Sequence, residues 1–372
     1  VRVLFITSSL GLGGQEKQLV DLVVGLAGSQ VQPRILVFTP GGERLMELRN
    51  AGVEVMEVSA NGNRFISRRQ AILQEDRIFN PHIIVSFDIS ATLHTVLAVY
   101  KRKGPLLITI FSGNYIPTVK IRLAFRCLCH FLHRIICNSH DGARYLRRRF
   151  HIGEERLRVI SNGLDFKAMA RPMVPVGSLR REIPLPEKSP LVGVIGKLTV
   201  DKDPLNLVAA ASIVARKFPD AVFCYIGSGP LHEATSSALR AQNLASRFFL
   251  IPRRPDAPWL AKEFDIAVLC SRSEGLPNAI LEYMYWGKPC VVTAAGDSGR
   301  VVVDGETGFV VPIERPEALA QAILRLLADP ELARSMGQQG RRRLEDHYPI
   351  QQYVQEFQDF FDSLTPSLRR QD

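Results

Sequence analysis

No run of this chain is long and apolar enough to cross a bilayer uninterrupted; the nearest, Pro81–Tyr100, carries Asp88 and several polar residues. The sequence therefore predicts no membrane-spanning helix. A cleavable leader is not evident either, since Val1–Thr7 runs directly into a glycine loop. Cysteine is sparse. The six, at 127, 129, 137, 224, 270 and 290, include no Cys-x-x-Cys pair and mostly sit among apolar residues. Reduced, buried thiols in a cytoplasmic protein are expected, rather than a disulfide framework. The eight histidines are scattered without His-Glu-x-x-His or other ligand spacing, so no structural metal is expected. Acidic residues are scarce in the first half. Residues 1–180 hold 25 Lys/Arg against 13 Asp/Glu, while the rest is nearly balanced, within an overall charge of +10. Lys101–Arg158 alone has 13 basic and 3 acidic residues. Nucleic acid is a poor explanation, because no reading motif is present and aromatics are not interleaved for base stacking.

The 372 residues, 46% apolar and 23% charged, fit two globular domains with their own cores. Strand-like runs at Val3–Thr7, Pro33–Phe38, Val53–Val58, Ile83–Phe87, Leu106–Ile110, Arg134–Cys137 and Arg158–Ile160 alternate with helical segments such as Glu16–Leu26, Ser67–Phe79 and Asp141–Arg149. A second series follows at Leu191–Ile195, Val222–Ile226, Phe248–Leu250, Ile266–Leu269 and Cys290–Val292. Alternation at this spacing predicts an α/β chain with parallel sheets covered by helices, here built twice as two Rossmann-like domains. Arg171–Pro190, with five prolines and little periodicity, is the predicted linker between a domain at 1–175 and another at 185–350. Glu317–Leu327, Pro330–His347 and Gln351–Leu364 read as consecutive helices.

The most informative stretch is Ser273–Glu282, which places two carboxylates, Glu274 and Glu282, across a loop-to-helix junction after the apolar strand Phe264–Cys270. Pro277 suits the first helical turn, and the N–H groups of Asn278, Ala279 and Ile280 then face the loop, a natural place for phosphate. Glu282 lies one turn past Asn278 on the same helical face. The helix is expected to end near Gly287. In the plain alternative, Glu274 caps the helix and Glu282 is solvated.

This segment, extended to SRSEGLPNAILEYMYWGKPCVV, resembles the Glu-x7-Glu signature of glycosyltransferase family 4. Other stretches resemble that family in the expected order. They are the glycine loop Gly11–Glu16, Gly196–Lys202 with lysine at 197 where arginine is usual, and the Gly-x-Gly-Pro turn Gly227–Pro230. Val159–Asp165 and Asp304–Phe309 are also similar. The resemblance covers almost the whole chain and implies the GT-B fold, a nucleotide-diphosphate sugar donor (UDP- or GDP-linked) and retaining hexosyl transfer. It also implies that the last helix, from about 351 to the end, packs back on the first domain.

By resemblance, Lys197 and Lys202 hold the diphosphate, and Glu274 binds hydroxyls of the donor hexose. Glu282 takes the ribose diol, while Gly275, Leu276, Pro277 and Asn278 form the phosphate-facing turn. Gly13 and Gly14 approach the diphosphate, where a Cβ would intrude, and Arg253 is a candidate for the nucleobase edge. Because lysines and a helix terminus supply positive charge, no metal or other cofactor is required. The chain departs from the family where many members carry histidines, near Val85–Asp88 and Phe111–Asn114. Asp88, Ser112 and Asn114 are the candidates to replace them on the acceptor side. Arg300 stands where relatives often have glutamate.

Ile116–Ile136 pairs apolar positions 123, 125, 128, 131 and 132 with Lys120, Arg122, Arg126 and Arg134, and Arg147–Arg149 follow. Such a segment can lie on an anionic membrane, which would suit a lipid-linked acceptor at the inner face of the cell membrane; the alternative is a core helix with a solvated basic edge. Three other functions compete with transfer. A non-catalytic nucleotide-sugar-binding relative or partner subunit agrees with the missing histidines but not with the intact acids and lysines. A GT-B epimerase fits the paired motifs less well. A dehydrogenase fits least, since Gly11–Gly14 lacks the full dinucleotide fingerprint.

Overall fold

The computed structural model describes residues 1–58, 63–100, 104–113, 116, 118–171, 174–175, 177–183 and 189–368. It forms two compact units: Val1–Gly163 with Ile350–Asp372, and Leu164–Pro349.

In the first unit, strands β1 (Arg2–Thr7), β2 (Gln32–Val37), β3 (Glu54–Glu57), β4 (Ile83–Ser86), β5 (Leu106–Phe111), β6 (Arg134–Cys137) and β7 (Leu157–Val159) form one sheet, ordered β3-β2-β1-β4-β5-β6-β7. All its pairings are parallel. Parallel strands covered on both faces read as continuous apolar runs, and β1 shows why. Val3 and Phe5 enter one core with Leu19, Val23 and Leu26; Leu4 and Ile6 enter the other with Ile72, Val96 and Phe125. The helix Ile350–Leu368 belongs to this unit, with Tyr353, Phe357, Phe361 and Leu364 in the first of those cores. Phe361 meets Phe5 at 6.4 Å between ring centres. Gly25 makes room for the helix Ile350–Leu368, since a Cβ there would lie 2.5 Å from a methyl of Val354.

In the second unit, β8 (Leu191–Ile195), β9 (Val222–Ile226), β10 (Phe248–Ile251), β11 (Ile266–Leu269), β12 (Cys290–Thr293) and β13 (Gly308–Val311) form a parallel sheet, ordered β10-β9-β8-β11-β12-β13. Strand β13 starts within the Asp304–Phe309 motif and runs past it, where the sequence pattern predicts no strand. It opens on Gly308, where a Cβ would lie 2.0 Å from the Cys290 carbonyl oxygen.

The predicted linker is only partly a linker. Its segment Ser178–Glu182 is helical, and Leu179 is buried in the second unit's core. Glu263 accepts hydrogen bonds from the Leu179 and Arg180 N–H groups at 3.2 and 3.0 Å. Prolines obscured this short helix, whose docking depends on a carboxylate some eighty residues away.

Candidate functional site

In open parallel sheets, ligands lie beyond the carboxyl ends of the strands, where the strand order reverses. In the second unit that point lies between β8 and β11. The loops leaving these strands are Gly196–Asp203 and Cys270–Pro277, so Lys197, Lys202 and Glu274 follow adjacent central strands at the carboxyl end of the sheet.

The first loop is held by its backbone. Leu198 N–H donates to the Ser228 carbonyl at 3.1 Å, Leu231 N–H donates to that of Leu198 at 2.9 Å, and the Tyr225 hydroxyl donates to the Lys197 carbonyl at 2.9 Å. A Cβ at Gly227 would lie 1.7 Å from the Gly196 oxygen, and one at Gly229 would lie 2.3 Å from the Leu198 oxygen. The Gly-x-Gly-Pro glycines therefore let two turns pack backbone to backbone. Above this anchored main chain the Lys197 side chain is exposed.

Lys202 closes a single 3-10 turn, Val200–Lys202, and Asp203 then takes a left-handed conformation (φ 47°) before Pro204 opens the next helix. The buried Asp203 carboxylate holds this bend, accepting from Arg272 Nε at 2.8 Å and Nη2 at 3.2 Å. Arg272 N–H donates to the Asp201 carbonyl at 2.8 Å, and the Cys270 thiol lies 3.3 Å from the Lys202 carbonyl oxygen. The two loops are thus stapled together. Burial pushes the Cys270 thiol up to about 12, so it stays protonated.

Across the staple, Lys202 Nζ meets Glu274 Oε1 at 2.6 Å. The Ser271 hydroxyl donates to the same oxygen at 2.6 Å, and Thr293 Oγ1 donates to the Ser271 carbonyl at 2.6 Å. Both donors converge on Oε1; Glu274 Oε2 accepts no hydrogen bond from a described residue. Glu274 is 8% exposed and Glu282 6%. That burial excludes the reading in which Glu282 is merely solvated. Gly296 (φ 56°) brings its loop under Glu274, where a Cβ would lie 2.2 Å from the Glu274 carbonyl oxygen.

The helix Asn278–Tyr285 starts one residue after Pro277 and ends just before Gly287, which has φ 62°. The expectation of three loop-facing N–H groups needs one correction: Ile280 N–H donates to the Pro277 carbonyl at 3.2 Å, tightening the first turn. Arg253, just past β10, is exposed, and its N–H donates to Ser228 Oγ at 3.0 Å. Among the described residues no group of His, Cys, Asp or Glu converges into a metal-holding cluster.

Gly13, Gly14, Asp88 and Ser112 belong to the first unit. Gly13 precedes the helix Gly14–Leu26 with ordinary extended angles. Asp88 lies at that sheet's own reversal point. Its Oδ2 accepts from Ser8 N–H, and its Oδ1 accepts from Ser8 Oγ and Ala91 N–H, each at 2.8 Å. The carboxylate therefore ties the loops after β1 and β4 and caps the helix Ile89–Val99. Ser112 is exposed just past β5, and Asn114 lies outside the described residues.

The family model for glycosyl transferases group 1 matches residues 177–343, and that for glycosyltransferase family 4 matches residues 12–168. The chain belongs to glycosyltransferase family 4. Among curated relatives of this family 4 protein, it is 27% identical over 232 residues to an Escherichia coli UDP-Gal:alpha-D-GlcNAc-diphosphoundecaprenol alpha-1,3-galactosyltransferase. That match covers 61% of this chain and 59% of the enzyme. It is 30% identical to an alpha-D-kanosaminyltransferase of Streptomyces kanamyceticus over 40% of this chain and 39% of that one. These matches span less than two thirds of the relatives' length. The solved structure of Anabaena HepE in complex with UDP and glucose superposes with a TM-score of 0.86 at 18% identity, covering 97% of this chain and 99% of that one. That likeness shows the GT-B fold.

Within this family 4 chain, sequence reasoning singled out Lys202 and Glu274 but not the residues that hold them together. Ser271, Thr293 and the Arg272–Asp203 pair were missed, although the serine three positions before Glu274 was a usable signal. Tyr225 and Tyr283 were missed as well. Tyr225 holds the Lys197 carbonyl, and the Tyr283 hydroxyl accepts from Ile195 N–H at 2.7 Å.

Proposed function

We propose that this chain transfers a hexosyl group from a nucleotide-diphosphate sugar to a carbohydrate or lipid-linked acceptor, with retention at the anomeric carbon, in surface polysaccharide or glycolipid synthesis. The observation that carries the reading is the Lys202–Glu274 contact at the sheet's reversal point, in which the carboxylate is buried and backed by Ser271. Burying a carboxylate at such a place costs desolvation that packing alone would not require. The galactosyltransferase's name supports a lipid-diphosphate acceptor, and the HepE complex supports a uridine-linked donor.

In this reading, negative charge gathers on the β-phosphate as the anomeric bond breaks, and preplaced cations lower that barrier. Lys202 has three donor positions, of which Glu274 takes one, leaving two for phosphate oxygens. Lys197 adds a second, more exposed ammonium group. Glu274 Oε2 accepts from a hexose hydroxyl, Glu282 from the ribose diol, and the turn Gly275–Asn278 offers N–H groups to phosphate. No residue is assigned as nucleophile: the departing phosphate takes the acceptor's proton as the new bond forms on the same face. The lysines and the helix terminus supply the charge, so transfer is expected to persist in EDTA. The enzyme works on the cytoplasmic side, where nucleotide sugars are made.

A thermal-shift screen across UDP-, GDP- and ADP-sugars is the test. A true donor present at a hundred times its Kd stabilises by about 2.7 kcal/mol and also undergoes slow hydrolysis. If no sugar nucleotide raises Tm and none is hydrolysed or transferred, the reading is wrong.

A further inference from the structure

The helix Val119–Leu128 in the first unit, capped by the Thr118 hydroxyl, is apolar on two faces. Inward, Phe125 and Leu128 are buried, with Phe125 centred 6.0 Å from the Phe111 ring and 5.4 Å from that of Phe150. Outward, Val119, Leu123 and Cys127 repeat every four residues and stack as one stripe. Val119 is 61% exposed and Leu123 60%, and Cys127 is exposed too. A helix packed on one side normally presents polar residues on the other. Here the solvent face is apolar at its centre and basic at its shoulders, with Lys120 and Arg126 beside the stripe and both exposed.

The surroundings extend the pattern. Phe131 and Tyr100, both exposed, meet edge to face at 5.8 Å between ring centres. The neighbouring helix His140–Phe150, joined through Phe150, ends in Arg147, Arg148 and Arg149, all exposed. Only Arg147 of these three forms an ion pair with a described residue, Glu154, at 3.7 Å. Lys120, Arg122 and Arg126 form none with a described residue. Cations around exposed aliphatic and aromatic groups, most of them without an ion pair to a described residue, complement an anionic lipid surface, where headgroup charge and hydrocarbon lie a few ångströms apart.

We propose that this face docks the protein on an anionic bilayer, with the Val119–Leu123–Cys127 stripe entering the headgroup layer and the cations resting against lipid phosphates. The proposal concerns binding alone and stands whether or not the donor site transfers sugar.

Cys127 makes it directly testable, because the other five cysteines are buried. An environment-sensitive fluorophore on Cys127 of the full chain should shift to the blue with phosphatidylglycerol-containing vesicles, and not with phosphatidylcholine alone. Flotation of unlabelled protein should show at least tenfold stronger association with the anionic vesicles at low salt. Association should fall at least tenfold in Lys120→Glu/Arg126→Glu and severalfold in Val119→Ser/Leu123→Ser, with circular dichroism unchanged. The same charge reversal on the second unit, Lys217→Glu/Arg240→Glu, should leave it intact. Absence of flotation at low salt, an equal loss in the second-unit variant, or full association of the serine variant would each overturn the proposal. So would burial of Cys127 in a dimer free of lipid.

Discussion

Replacing Lys202 with Met, Glu274 with Gln, and then both together separates a catalytic pair from a structural ion pair. Opposite charges 2.6 Å apart attract by about 6 kcal/mol at an effective dielectric constant of ~20, most of which offsets desolvation. Removing one partner of a fully buried pair costs about 3–5 kcal/mol. Lys202 keeps 22% side-chain exposure, so Lys202→Met should cost less, about 2–3 kcal/mol. For a unit of this size that lowers Tm by about 4–12 °C. Glu274→Gln should cost less still, because the freed ammonium can reach water. The double variant carries no unpaired charge and keeps the Ser271 hydrogen bond, so its stability should return to within about 1 kcal/mol of the parent. Transfer should behave differently. Each single variant should lose about a hundred- to a thousandfold in kcat, and the double variant should recover none of it. Calorimetry gives the first cycle and a discontinuous transfer assay the second. Recovery of transfer alongside stability in the double variant would refute the reasoning, since the pair would then act only through folding.

Arg272→Ala should release the Asp203 bend that places Lys202, lowering kcat about tenfold or more with Tm down by a few degrees, while Arg272→Lys, keeping the charge without the fork, should recover part of both. Gly227→Ala should destabilise by about 2–4 kcal/mol, read by calorimetry, because its Cβ would lie 1.7 Å from the Gly196 oxygen. Burial holds the Cys129, Cys137, Cys270 and Cys290 thiols up to about 12, so at pH 8 they remain neutral and folded protein should take iodoacetamide at Cys127 alone; mass spectrometry checks this, and rapid labelling of Cys270 would contradict the packing described.

Most of the fold was legible because buried parallel strands need little more than short apolar runs between helices. Four of the strands match their predicted limits, and most of the others differ by a residue at one or both ends. Strand β13 was hidden because it opens on a glycine whose role, room for the Cys290 carbonyl, exists only once β12 lies beside it. The helix Ser178–Glu182 was hidden by neighbouring prolines and by the distance along the chain to Glu263. At the site, Glu274 was legible as a carboxylate at a loop-to-helix junction and Lys202 through its motif's resemblance to the family, but that they follow β8 and β11, strands far apart in sequence and neighbours in the sheet, was not. Asp88 was legible as an unusual residue, but not as the tie between the loops after β1 and β4.

The residues alone determined the two-sheet α/β plan, the family, and the short set of ionisable groups with which this chain can do chemistry. Those follow from local periodicity and from motifs contiguous in sequence. Tertiary structure alone decided that Arg272 braces Asp203 and that Ser271 and Lys202 share one oxygen of Glu274. It also decided that Gly227 and Gly229 serve backbone packing, and that Leu123 faces outward. Each of these depends on groups brought together from separate strands, or on which face of a helix its neighbours cover. A one-dimensional pattern carries neither kind of information.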